Sequence, residues 1–111
     1  MAASLCRVEF AMVDGVAHAA ASELHVERHR VERGVRIVRG ATRHEQVLVL
    51  LDGRATVRDD AQHVAIGPGD GVVVPAHTAV VVEFDGPAEL LVVRRAGDEP
   101  VAGHEPSHWF G

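Results

Sequence analysis

At 111 residues, with 47% hydrophobic and 24% charged side chains, the chain has material for one domain around one core. No apolar run approaches the roughly 18–20 residues that a membrane-crossing helix requires. Its formal charge is −5, and eleven arginines, without a lysine, are scattered among Asp and Glu, which excludes the basic block that holds nucleic-acid phosphates. Cys6 is alone, so no intrachain disulfide can form, and Met1 to Ser4 lacks the charged and apolar regions of a secretion signal; a soluble, cytoplasmic protein is expected.

In chain order, Cys6, Val8, Phe10 and Met12 alternate with Arg7, Glu9 and Ala11, so Leu5 to Met12 is predicted to be a half-buried strand with Cys6 as a small core residue. Ala17 to Arg33 carries two signals. Its Ala, Leu, Glu and Arg favour a helix that Gly34 would cap, yet Leu24, Val26, Arg28 and Arg30 alternate with His25, Glu27, His29 and Val31. The alternation predicts a strand whose two faces are both mixed. Beyond it come short β-branched runs: Val47 to Leu51, Arg54 to Arg58, His63 to Ile66, Val72 to Val74, Val80 to Phe84 and Leu90 to Val93. They are separated by Asp52-Gly53, Asp59-Asp60, Gly67-Pro68-Gly69-Asp70, Pro75 and Asp85-Gly86-Pro87, residues that supply positive φ, fixed φ or local caps. Asp52 and Asp70 therefore read as turn caps. The expected division is a barrel over residues 1–96 with an N-terminal strand, followed by an arm over 97–111. In that arm Trp109 and Phe110 would anchor on the barrel or on a partner subunit.

The spacing of Gly34, Gly53, Gly69 and Pro75, together with Val-Leu-Val-Leu-Leu-Asp-Gly and Gly-Asp-Gly-Val-Val-Val-Pro, resembles the two motifs of the cupin family over roughly residues 23–95. The resemblance implies an all-β fold, a single antiparallel jelly-roll barrel, and a homodimer. It also places the family's metal ligands. The first motif's two His and its Glu fall on Gly40, Thr42 and Gln46; in the second motif the later Gly falls on His77 and the last His on Val80. A transition metal needs several imidazole or carboxylate donors converging at about 2.0–2.2 Å, and these side chains do not provide them. No metal and no other cofactor is expected.

Alternation across a strand puts Gly40, Thr42, His44, Gln46, Leu48 and Leu50 on one face, and Thr78, Val80, Val82 and Phe84 on the facing strand. This predicts an apolar pocket whose polar groups are Thr42, His44 and Gln46, with His44 and Gln46 as the catalytic candidates. Thr42, Leu48, Val80, Val82 and Phe84 would contact the ligand. His77 sits at the mouth, Arg36 and Arg39 flank the pocket strand, where a guanidinium can hold an acidic group, and His25 and His29 join if their face is interior; otherwise that face is solvated. His63 is expected in solvent, and His104 and His108 in the tail. Three functions follow. The first is metal-independent acid/base chemistry on a small, partly apolar molecule, of cyclase, isomerase, epimerase or dehydratase type, with His44 moving the proton. Some cupin relatives, the sugar epimerases, work without a metal. The second is small-molecule binding or sensing without chemistry. The third is a metal-dependent, dioxygenase-like enzyme with displaced ligands such as His25, His29 and His44 or His77.

Overall fold

Valine-rich runs broken by turn residues give strands where the alternation expects them. The computed structural model describes Leu5 and residues 7–99, and every regular element among them is a strand. In order these are β1 (Ala11–Val13), β2 (Val16–Ala20), β3 (Leu24–Val31), β4 (Arg36–Arg39), β5 (Gln46–Asp52), β6 (Ala55–Arg58), β7 (His63–Ile66), β8 (Gly71–Val74), β9 (Val80–Phe84) and β10 (Ala88–Arg95). Six of them form a sheet in the order β1-β2-β3-β10-β5-β8, and four form a second sheet in the order β4-β9-β6-β7. Every pairing is antiparallel. No helix among the described residues is long and apolar enough to cross a membrane.

The inward residues of the two sheets meet in one core. Leu48, Leu50, Leu90 and Val92 from the larger sheet pack with Val57, Val80, Val82 and Phe84 from the smaller one. Each side chain of this size removed from water contributes about 1.5–3 kcal/mol, so the core is the main force that closes the two sheets into a jelly-roll barrel. The expected period of two holds on β5 from Gln46 to Leu50, where Gln46, Leu48 and Leu50 are buried and Val47 and Val49 face outward.

Two motif positions show why turn chemistry governs this fold. Gly53 has φ +90, and a Cβ there would lie 2.6 Å from the Cβ of Ala88 and 2.7 Å from the carbonyl oxygen of Pro87. Only glycine allows the β5–β6 turn to come this close to β10. His77, which replaces the later glycine of the second motif, keeps a positive φ of 62, and its N–H donates to the Thr42 carbonyl at 2.8 Å. Asp52 and Asp70 cap turns as expected, accepting from the N–H of Gly53 at 3.0 Å and of Gly67 at 2.8 Å.

The N-terminal strand begins later than the alternation predicts. Leu5 and residues 7–10 lie outside any strand, and pairing starts at Ala11. Phe10 is instead held by the Arg28 guanidinium, 5.1 Å from its ring centroid. Cys6, His104, His108, Trp109 and Phe110 lie outside the described residues. The segment expected as a separate arm is fastened to the barrel at its start, because Asp98 is buried and its carboxylate accepts from the N–H groups of Arg43 at 2.8 Å and His44 at 2.9 Å.

Candidate functional site

The ambiguous segment 17–33 forms β2 and β3, and its mixed pattern has a structural cause. Register with β2 and β10 puts His18, His25, Glu27, His29 and Arg94 on the face directed into the barrel, so polar groups occupy positions that an ordinary core strand fills with Val or Leu. A strand with a polar interior face loses its hydrophobic period, which left both faces mixed; the strand alternative holds over the helix that residue propensity favoured.

At the centre is Glu27, whose side chain is 6% exposed. Its Oε1 accepts from Arg39 Nη1 at 3.0 Å and lies 2.9 Å from His29 Nε2; its Oε2 accepts from Arg39 Nη2 at 3.1 Å and from Arg94 Nε at 3.2 Å. Burial alone would raise the Glu27 pKa, but the hydrogen bond from His29, the charge of Arg39 and the hydrogen bond from Arg94 outweigh it and push the carboxyl down to about 2. Glu27 is thus a fixed anion at neutral pH. Arg39 comes from β4 and also donates from Nε and Nη2 to Oε1 of Gln46, at 3.3 and 3.2 Å, while Gln46 Nε2 donates to the Gly40 carbonyl at 3.3 Å. Arg94 reaches the Asp98 carbonyl through Nη1 at 3.3 Å and Glu99 through Nη2. Beside this network His18 Nδ1 and His25 Nε2 are 3.0 Å apart with edge-on rings. Burial lowers the His25 pKa, Arg94 lowers it further, and Glu27 opposes them.

The metal that cupins commonly hold does not fit these residues. Gly40 and Val80 offer no donor, the Thr42 hydroxyl donates to the His44 carbonyl at 2.5 Å, and the Gln46 oxygen faces a guanidinium. Among the described residues, no three His, Cys, Asp or Glu side chains converge as a ligand set.

The predicted site residues do not share one pocket. Gln46 is buried inside the barrel, as parity on β5 requires, and Thr42 is buried in the connection before it; Leu48, Val80, Val82 and Phe84 are buried too, but these four are packed into the core. His25 and His29 take the interior alternative. His44 departs from its expected place: β5 begins at Gln46, residues 40–45 form a connection, and period two does not extend into it. Its side chain is 51% exposed, with Nδ1 3.6 Å from the buried Asp98 carboxylate. There it lines an open groove of about 660 Å³ together with Leu24, Arg43, Val47, Val93 and Arg95. His77 borders a different hollow, of about 350 Å³, beside Asp59 and Asp60. Arg36 lies in a third, of about 150 Å³, with Arg58 and Glu83, and of the two flanking arginines it is Arg39 that turns inward.

The model of the AraC-binding-like domain matches residues 10–99. The chain belongs to that family. Its barrel is similar to a cupin superfamily protein from Desulfitobacterium hafniense, at 18% identity and TM-score 0.65 over 86% of this chain and 83% of the other. It is also similar to an RmlC-like cupin from Shewanella frigidimarina, at 20% identity and TM-score 0.63 over 86% and 85%. A salicylate 1,2-dioxygenase variant from Pseudoaminobacter salicylatoxidans matches at 20% identity and TM-score 0.59, over 64% of this chain and 20% of that one. No curated protein matches significantly. At these identities the neighbours establish the cupin fold that the turn residues implied.

For this AraC-binding-like domain, the site residues that the sequence reading did not name as candidates are His18, Glu27, Arg94 and Asp98. Arg94 directly follows the run Leu90 to Val93, and the strand continues through it. A charged residue at the inward parity of a core strand was the available signal.

Proposed function

We propose that this AraC-binding-like domain is a metal-independent binding module that captures a small, partly apolar organic molecule in the groove rimmed by Arg43 and His44. One observation carries the reading: Gln46, which stands where the cupin motif has its carboxylate ligand, has its oxygen engaged by Arg39 and its nitrogen by Gly40. The interior polar groups satisfy one another and leave recognition to the groove. Its walls join the apolar Leu24, Val47, Val93 and Pro75 to the charged Arg43, Arg95, Glu23 and Glu45. Guanidinium groups beside apolar walls suit a ligand with an acidic end. The family description, which names a binding domain, points the same way.

A second reading keeps the proton-transfer enzyme and rests on a dyad: His44 stands at the groove with Asp98 3.6 Å behind its Nδ1, an arrangement that would orient Nε2 toward a bound molecule. Native mass spectrometry of the purified protein, with the released molecule identified, separates the two. Binding predicts that the molecule is recovered unchanged, that Arg43→Ala weakens its affinity about tenfold, and that His44→Ala produces no loss of turnover because none exists. Conversion of the molecule, abolished by His44→Ala, would establish the enzyme instead.

A further inference from the structure

Inside the barrel a carboxylate that carries an imidazole on one oxygen and an amide oxygen both meet a cation that belongs to the protein itself. Arg39 Nη1 and Nη2 take both oxygens of Glu27, Arg39 Nε and Nη2 take the single oxygen of Gln46, and His29 Nε2 sits 2.9 Å from the Glu27 oxygen that also meets Nη1. Both charged side chains are almost wholly buried, at 8% and 6% exposure. Two oxygen donors and a neighbouring ring nitrogen, drawn from β3 and β5, are the kind of set that binds a divalent cation, but a guanidinium carried by β4 fills the space between them. Arg94 places a second positive charge on Glu27, at 3.2 Å.

We propose that Arg39 is the barrel's resident cation: it excludes divalent metals from the interior and masks a latent site made by Glu27, His29 and residue 46. The physical basis is electrostatic. A metal entering beside a permanently charged guanidinium would have to displace its hydrogen bonds to Glu27 and meet the charge of Arg94 as well. Removing the guanidinium frees the residue 46 oxygen and releases the Glu27 oxygens from Arg39, with Oε2 still held by Arg94 at 3.2 Å, and His29 can turn its Nε2 from Oε1 to an incoming ion. Gln46→Glu then restores the anionic charge that a divalent ion requires. The inference concerns residues outside the groove, so it stands or falls independently of the binding function proposed above.

The test is Co²⁺ titration, read by visible absorption, of the wild type, of the Arg39→Ala/Gln46→Glu double variant, and of Arg39→His, which supplies an imidazole in place of the guanidinium. The proposal expects no specific interior binding in the wild type. It expects stoichiometric Co²⁺ in at least one variant, roughly 100-fold tighter than any wild-type binding and lost on adding His29→Ala. Circular dichroism recorded with and without Co²⁺ monitors folding, and a variant that folds only with the metal supports the site. Wild-type protein that binds Co²⁺ in a His29-dependent manner overturns the proposal. Folded variants without a cobalt band overturn it too, as do variants that stay unfolded with and without Co²⁺.

Discussion

Removing the Glu27 carboxylate would leave Arg39 and Arg94 buried without their shared anion. Glu27→Ala is therefore expected to lower stability by about 3–5 kcal/mol in urea denaturation, far more than truncation of an exposed pair such as Arg30–Glu89, worth at most about 1 kcal/mol. A loss under about 1 kcal/mol would mean that the two arginines do not depend on Glu27 for their compensation. The Glu27 pKa gives the same result in another form. The group is pushed down to about 2 from an ordinary 4.5, so its stabilisation is fully present above the ordinary value and is lost as pH falls toward 2; it amounts to about 3 kcal/mol. Half-buried His25 adds an earlier step. Its pKa is lowered from 6.5, so the unfolded chain takes the proton first and stability declines as pH drops below that value. Stability followed against pH should fall gently below 6.5 and steeply below 4.5, with the first part flattened in His25→Gln. At this scale the sequence reading reached Gln46, because parity inside a strand places a side chain without knowledge of its partner. It missed the links from Glu27 to Arg39 and Arg94, which are 12 and 67 residues away in the chain and are made only by the fold.

The elements most open to prediction were those with apolar inward faces. β7 and β9 occur as the runs His63 to Ile66 and Val80 to Phe84, and β5 and β10 extend beyond theirs because Gln46 and Arg94 are polar residues on core-facing positions. β2 was not separated from β3 within the ambiguous stretch Ala17 to Arg33, and β4 went unseen. β4 is only four residues long and has an arginine at each end, which hides Ile37 and Val38. His44 was misplaced because the connection from 40 to 45 has no strand period; Asp98, more than 50 residues on, fixes it through two backbone N–H groups. The turns, by contrast, were legible, since their residue types have a local mechanism. Gly53→Ala tests this at the β5–β6 turn: a methyl group would meet the Ala88 Cβ at 2.6 Å on a backbone with φ +90. The expected loss is about 2 kcal/mol or more, measured by thermal unfolding, and an unchanged midpoint would contradict the close packing of this turn on β10.

At the scale of the molecule, the proposed binding function would set a charged but self-satisfied interior apart from the groove that takes the ligand. The interior holds charge without using it: Glu27 is a fixed anion, Arg39 is its main counter-ion, and the apolar core closes around them. The binding function proposed above assigns recognition to the open groove that Arg94 also lines, at the ends of β3, β5 and β10. That division is the central claim, and backbone amide shifts of the ¹⁵N-labelled protein, titrated with a panel of small aromatic and aliphatic carboxylic acids, test it most directly. The account predicts shifts clustered at Leu24, Arg43, Val47 and Val93, with Val80, Val82 and Phe84 unmoved; shifts confined to those three core residues would contradict it.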